Sequence, residues 1–178
     1  MSPRNIPDFQ GDLYDTLDFI GRLYEGDHVE VGTRHGASAI KVARARAKGI
    51  IYCIDPLENQ MFNQEYGNVQ ETGHSATLKA IIEREELIDR IVLIQAYSQP
   101  WPLPEEQRFV SGFIDGCHIH PVPMWDWDAM SKVVDNAIVL DNVDLPGLLG
   151  CITRIRMDKD WRLKSTSKRT AIAWKLPS

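Results

Sequence analysis

The chain has 178 residues, of which 43% are hydrophobic and 25% charged, with a formal net charge of -5. This length and balance point to a single domain over residues 1–178, long enough to bury about two-thirds of the surface its unfolded chain exposes. The negative balance excludes an extended nucleic-acid footprint. No apolar run reaches membrane length, and the opening Met1-Ser2-Pro3-Arg4-Asn5 has no apolar signal region. Three scattered cysteines, Cys53, Cys117 and Cys151, lack metal-type spacing and fit a reducing, cytoplasmic compartment.

In chain order, Phe9, Leu13, Leu17, Ile20 and Leu23 recur at helical spacing and predict a helix from about Phe9 to Tyr24, ending near Gly26. A short buried strand, His28 to Val31, follows, then a glycine turn and a helix from Gly36 to about Lys48. The second strand, Gly49 to Ile54, stops on Asp55. The polar stretch Pro56 to Thr72, holding Met61, Phe62 and Tyr66, is read either as a binding-site lid or as a cover for the sheet edge. Next come a helix from about Ser75 to Leu87, a strand Ile91 to Ile94 and a strand Phe109 to Ile114 ending on Asp115. A helix from about Met124 to Val134 leads to the strand Ala137 to Leu140, ending on Asp141. A helix near Leu148 to Arg156 and two strands, Trp161 to Ser165 and Thr170 to Trp174, close the chain around the polar turn Thr166 to Arg169. The basic clusters Lys41 to Lys48 and Arg154 to Lys168 are read as solvated faces. The alternation predicts an α/β fold, with a mostly parallel, doubly wound sheet and an antiparallel C-terminal hairpin.

Strand, glycine turn, helix, strand and terminal acid is the arrangement with which α/β proteins hold an adenosine-bearing cofactor. A dinucleotide fingerprint needs G-x-G-x-x-G. Here Gly32 and Gly36 stand as G-x-x-x-G, Glu30 precedes them, and no Lys-Ser or Lys-Thr follows to make a phosphate loop. That spacing argues against a pyrophosphate and leaves room for a nucleoside carrying an amino acid. Three strands end on acids, Asp55, Asp115 and Asp141, at the sheet rim where such folds bind ligands, although helix capping is the ordinary use of an aspartate there. Asp115, Asp141 and Asn142 together make a hard, all-oxygen set that suits Mg²⁺ or Mn²⁺. A magnesium ion there could take both oxygens of a vicinal diol and lower the pKa of one hydroxyl.

The glycine stretch resembles motif I of the class I S-adenosylmethionine-dependent methyltransferases. The segments Phe113-Ile114-Asp115-Gly116-Cys117-His118 and Leu140-Asp141-Asn142-Val143-Asp144-Leu145-Pro146-Gly147 resemble the metal-dependent catechol O-methyltransferase-like family. Gly36-Ala37-Ser38 and Tyr97-Ser98-Gln99 resemble that family's helix start and adenine border. Carried over, the resemblance implies a Rossmann-like methyltransferase fold that binds S-adenosyl-L-methionine. Glu30, Gly32, Thr33, Gly36 and Ser38 fall at the methionine end and Asp55 with Pro56 at the ribose. Ser98 and Gln99 border the adenine, and Asp115 lies beside the cofactor. It also implies a metal held by Asp115, Asp141 and Asn142.

The family's catalytic lysine position is held by His118, whose unperturbed pKa of about 6.5 suits a general base near neutrality, so His118 and Asp115 are the catalytic candidates. A structural or substrate-orienting role is the competing reading of His118. Asp115 with His118 or His120 as an iron site leaves the glycine loop and the Asp141-Asn142 pair unexplained. No counterpart of the family's second catechol-binding acid is found. Trp101 is read as adenine-stacking or solvent-shielding, while Trp125, Trp127 and Met124 are read as core or substrate wall. The expected activity is O-methylation, with magnesium assistance, of a small phenol, catechol or sugar, by a protein that meets neither nucleic acid nor membrane and has scope to form a homo-oligomer. The alternatives are a metal-independent methyltransferase and a non-catalytic S-adenosylmethionine-binding module of a complex.

Overall fold

A computed structural model of the protein describes residues 9–57 and 74–177. The expected lid lies outside the described residues. Helix α1 (Leu13–Leu23) starts where the Asp12 carboxylate accepts the Asp15 N–H at 2.9 Å. Asp12 thus stops the predicted helix four residues short of Phe9, whose ring instead stacks on Phe19 with centroids 4.4 Å apart. Strand β1 (His28–Val31) leads through the glycine turn to α2 (Ala37–Ala45). Next are β2 (Ile51–Ile54), α3 (His74–Arg84), β3 (Ile91–Ile94) and β4 (Phe109–Ile114).

Helix α4 (Val122–Val133) runs without a loop into β5 (Val134–Leu140), three residues earlier than the sequence pattern suggests. Val134 is fully buried, so the apolar run serves the end of the helix and the start of the strand alike. A 3₁₀ turn (Pro146–Leu148), α5 (Leu149–Met157), β6 (Trp161–Ser165) and β7 (Ala171–Lys175) complete the order. No helix among the described residues is long and apolar enough to cross a membrane.

The seven strands form one sheet in the order β3-β2-β1-β4-β5-β7-β6. The first five are parallel, and β7 runs antiparallel to both of its neighbours. The chain winds outward from β1 to β3, then crosses back so that β4 lies beside β1. That reversal creates the crevice in which open α/β sheets bind ligands.

Alternate residues of each strand face opposite layers. Val29, Val31, Ile54, Ile114, Ile138 and Leu140 pack with Trp127, Met130, Cys151 and Ile155 of α4 and α5. Ile51, Cys53, Phe113 and Val139 pack with Leu17, Ile20, Val42 and Leu78 of α1, α2 and α3. Trp127 is 1% exposed and meets Trp161 edge-to-face at 5.1 Å, which makes it core.

The strand ends align. Val31 pairs with Ile54 and Ile114, Ile54 with Ile94, and Ile114 with Leu140. The next residue of each strand, Gln95, Asp55, Gly32, Asp115 and Asp141, therefore stands in one row along the carboxyl rim. Backbone bonds at 2.9–3.2 Å fix the last four: Gly32 N–H to Ile54, Asp55 to Ile94, Asp115 to Val31 and Asp141 to Ile114.

Candidate active site

Gly32 opens the glycine turn with φ 87°, and a Cβ there would lie 2.2 Å from the Asp115 carbonyl oxygen. Only glycine allows β1 and β4 to leave the sheet this close together. The turn continues through Arg34, itself left-handed at φ 46°, to Gly36 at the start of α2. Asp55 braces it. One carboxylate oxygen accepts the N–H of Thr33 at 2.8 Å and of Arg34 at 2.9 Å, and the other accepts the Leu57 N–H at 2.7 Å. The acid expected to meet a ribose thus holds the glycine loop in place. Pro56 follows it, half-buried.

Below the turn lies Glu30, in register with Cys53 and Phe113 on the α2 face of the sheet. It is fully buried, with Thr33, Ser38 and Cys53 as polar neighbours of its carboxylate. Burial pushes its carboxyl up to about 7, offset in part by Thr33, Ser38 and Cys53 nearby and reinforced by the charge of Asp115. The Thr33 hydroxyl is buried beside it, and Ser38 is 8% exposed. A buried carboxylate under a glycine cradle is costly when charged and complementary to an ammonium group. These residues fit the amino-acid end of S-adenosylmethionine.

Ser98 and Gln99 are tied to α4. The Ser98 hydroxyl donates to Asp126 Oδ1 at 2.5 Å, and Gln99 Nε2 donates to the Trp125 carbonyl at 3.1 Å. Asp126 is the functional candidate that the sequence reading misses. It is fully buried, its carboxyl is raised to about 6 by burial, and its Oδ2 has no partner among the described residues. That oxygen lies 3.4 Å from where a Cβ of Gly116 would stand, at the β4 mouth. An acid between two tryptophans on a helix was the available signal. Trp125 is exposed, whereas Trp101 and Met124 pack against the α4–α5 core.

At the other half of the rim, His118 Nε2 and Asp115 Oδ1 are 3.2 Å apart. Asp115 is the more open of the two, its side chain 31% exposed against 14%. Burial raises the Asp115 carboxyl, a hydrogen bond from His118 lowers it, and the charge of Asp141 raises it; the charges of His118 and Arg169 lower it. His120 lies elsewhere, against α5 beside Gly150, so the two-histidine iron set is not assembled. Among the described residues, no three His, Cys, Asp or Glu side chains are grouped to hold a metal ion.

Asp141 and Asn142 are buried one residue beyond β5. Asp141 Oδ1 accepts from the Thr170 hydroxyl at 3.2 Å, and Oδ2 accepts from Asn142 Nδ2 at 3.2 Å. Asn142 Oδ1 accepts from Arg169 Nη2 at 2.6 Å. Thr170 and Arg169 arrive from the hairpin turn because Leu140 pairs with Ala171. The Pro146-Gly147 turn then locks the two rim segments together: a Cβ on Gly147 would stand 1.6 Å from the His118 carbonyl oxygen.

No protein-family model matches the sequence, and no curated protein does either. Solved structures do match. A methyltransferase from Geobacter sulfurreducens superposes with a TM-score of 0.70 at 19% identity, over 98% of this chain and 84% of that one. An O-methyltransferase from Bacillus cereus in complex with SAH gives 0.66 at 17%, over 97% and 85%. An rRNA methylase from Streptococcus thermophilus gives 0.61 at 10%, over 96% and 100%. At these identities the likeness speaks for the fold, and with the strand order and register it gives the chain the fold of the class I S-adenosylmethionine-dependent methyltransferases.

Proposed function

We propose that this chain binds S-adenosylmethionine across the β1–β4 crevice and transfers its methyl group to a hydroxyl oxygen of a small molecule. The observation that carries this is the pairing along one rim of the Gly32–Glu30 cradle with the Asp115–His118 pair. O-methyltransferases among the structural neighbours support it. When bound, the cofactor supplies an electrophilic methyl group on a sulfonium.

The chain's own residues would do the rest. Glu30 would face the ammonium, Gly32 would let the backbone approach, and Asp55 would keep the Thr33–Arg34 amides in place beneath the ribose. Ser98, Gln99 and Asp126 would border the adenine. The acceptor's proton would pass to the Asp115–His118 pair, with Asp115 foremost because it is the more open partner. Holding the acceptor oxygen in line with the sulfonium supplies most of the remaining acceleration.

The residues do not fit the expected magnesium as the chain holds them. Asn142 Oδ1 already accepts from the permanently charged guanidinium of Arg169, which opposes a second cation on the same oxygen. No step is assigned to a metal. Calorimetry with S-adenosylmethionine tests the proposal. Binding to the wild type and its loss in Gly32→Val are expected, with release of S-adenosylhomocysteine when a panel of phenols and sugars is added. Absence of cofactor binding by the wild type would overturn it.

A further inference from the structure

We infer that the Arg169 guanidinium takes the position of a divalent cation in this site, so that the charge met by the acceptor oxygen is built into the chain. This rests on the methyl-transfer reading above. The expected metal ligands are Asp115, Asp141 and Asn142, and the same three residues stand together at the mouths of β4 and β5. The Asn142 oxygen that would face a metal accepts instead from Arg169 Nη2 at 2.6 Å, a distance proper to a charge-assisted bond. Asn142 adopts a left-handed backbone at φ 56°, a conformation asparagine tolerates better than most residues.

The arginine is positioned as well as present. Its carbonyl accepts the Val143 N–H at 2.9 Å, its own N–H is held by the Ser167 hydroxyl at 3.2 Å, and Asp144 lies 4.0 Å from Nε. Neighbouring Thr170 bonds Asp141. A dication on the same amide oxygen would stand against a permanent positive charge, because arginine does not give up its proton in proteins.

The chemical consequence concerns the acceptor. A metal selects a vicinal diol because it chelates two oxygens. A guanidinium offers N–H groups in a plane and needs one oxygen, or a planar oxyanion beside it. The acceptor class is therefore a mono-hydroxylated or acidic small molecule, and a catechol has no special claim.

The test uses the full chain and Mn²⁺ alone, followed by the loss of the free-ion electron paramagnetic resonance signal. Wild type and Arg169→Lys are expected to leave the signal unchanged into the millimolar range. Arg169→Met should uncover the Asn142 oxygen and raise Mn²⁺ affinity by about tenfold or more. Adding Asp141→Asn to Arg169→Met should abolish that gain. Circular dichroism confirms that each variant is folded; Arg169 is exposed, so its replacement leaves the core intact. Wild-type binding as tight as that of Arg169→Met would overturn the inference, and so would a folded Arg169→Met that gains no Mn²⁺. Neither arm needs the cofactor. Failure of S-adenosylmethionine binding would strike the functional proposal separately.

Discussion

A carboxyl group held neutral up to about pH 7 beneath a glycine turn must lose its proton when an ammonium comes to rest beside it. Near about pH 6, binding of S-adenosylmethionine should therefore release a proton, seen as a dependence of the calorimetric heat on buffer ionisation enthalpy. Glu30→Gln should remove that dependence and weaken binding. The same group shapes stability. Its folded value, about 7, lies above the ordinary 4.5, so the folded chain binds its proton more tightly. The contribution is complete below 4.5 and is lost as pH rises through about 7. Denaturant midpoints of the apoprotein should fall across that window, and Glu30→Gln should flatten the fall. Glycines give the second expectation. In Gly147→Ala the new methyl would collide with the His118 carbonyl, a backbone clash that costs about 1–3 kcal/mol in urea unfolding and displaces the Asp115–His118 pair.

The C-terminal hairpin works as an arm at the scale of elements. It is bonded to the segment entering α1 through Gly11 N–H to the Thr166 carbonyl at 3.1 Å, and to α1 itself through the Thr16 and Thr166 hydroxyls at 3.0 Å. Its other side carries Thr170 to Asp141. Thr170→Val keeps the shape, removes the donor and leaves a buried carboxylate oxygen short of a partner. It should cost about 1–3 kcal/mol by denaturant unfolding. This arm also marks where sequence reading stops. The strand-glycine-helix unit and the strand-end acids are legible because a local pattern marks each of them, an apolar run that stops on a glycine or an acid. Asp126 and Arg169 are not. Asp126 acts through Ser98, 28 residues away, and Arg169 through Asn142, 27 residues away. Only the crossover beside β4 and the β5–β7 pairing bring them together. Arg169 read from sequence is one more charge in a polar turn; Asp55 read from sequence is a helix cap or a ligand, and in the fold it braces the glycine loop.

For the molecule as a whole, two apolar layers hold the sheet and leave the rim free of packing duty. Truncating Trp127, buried against Trp161, should cost about 3–5 kcal/mol and broaden or abolish cooperative unfolding without touching a site residue. Saturating S-adenosylmethionine should act oppositely. At a hundredfold excess over Kd, it is expected to add about 2.7 kcal/mol to unfolding, visible as a raised melting temperature, and to add nothing to Gly32→Val.

The aligned strand ends carry a consequence for how such a protein changes over time. Gly32, Asp55, Asp115 and Asp141 are set in place by main-chain bonds to the last residue of a neighbouring strand. Asp115 can be exchanged there while its position is kept, whereas Gly32 cannot, because a Cβ on it would meet the Asp115 carbonyl. At such a position the main chain sets the place and the side chain sets the chemistry, so Asp115→Asn should change the charge of the rim while leaving the β1–β4 pairing as it is.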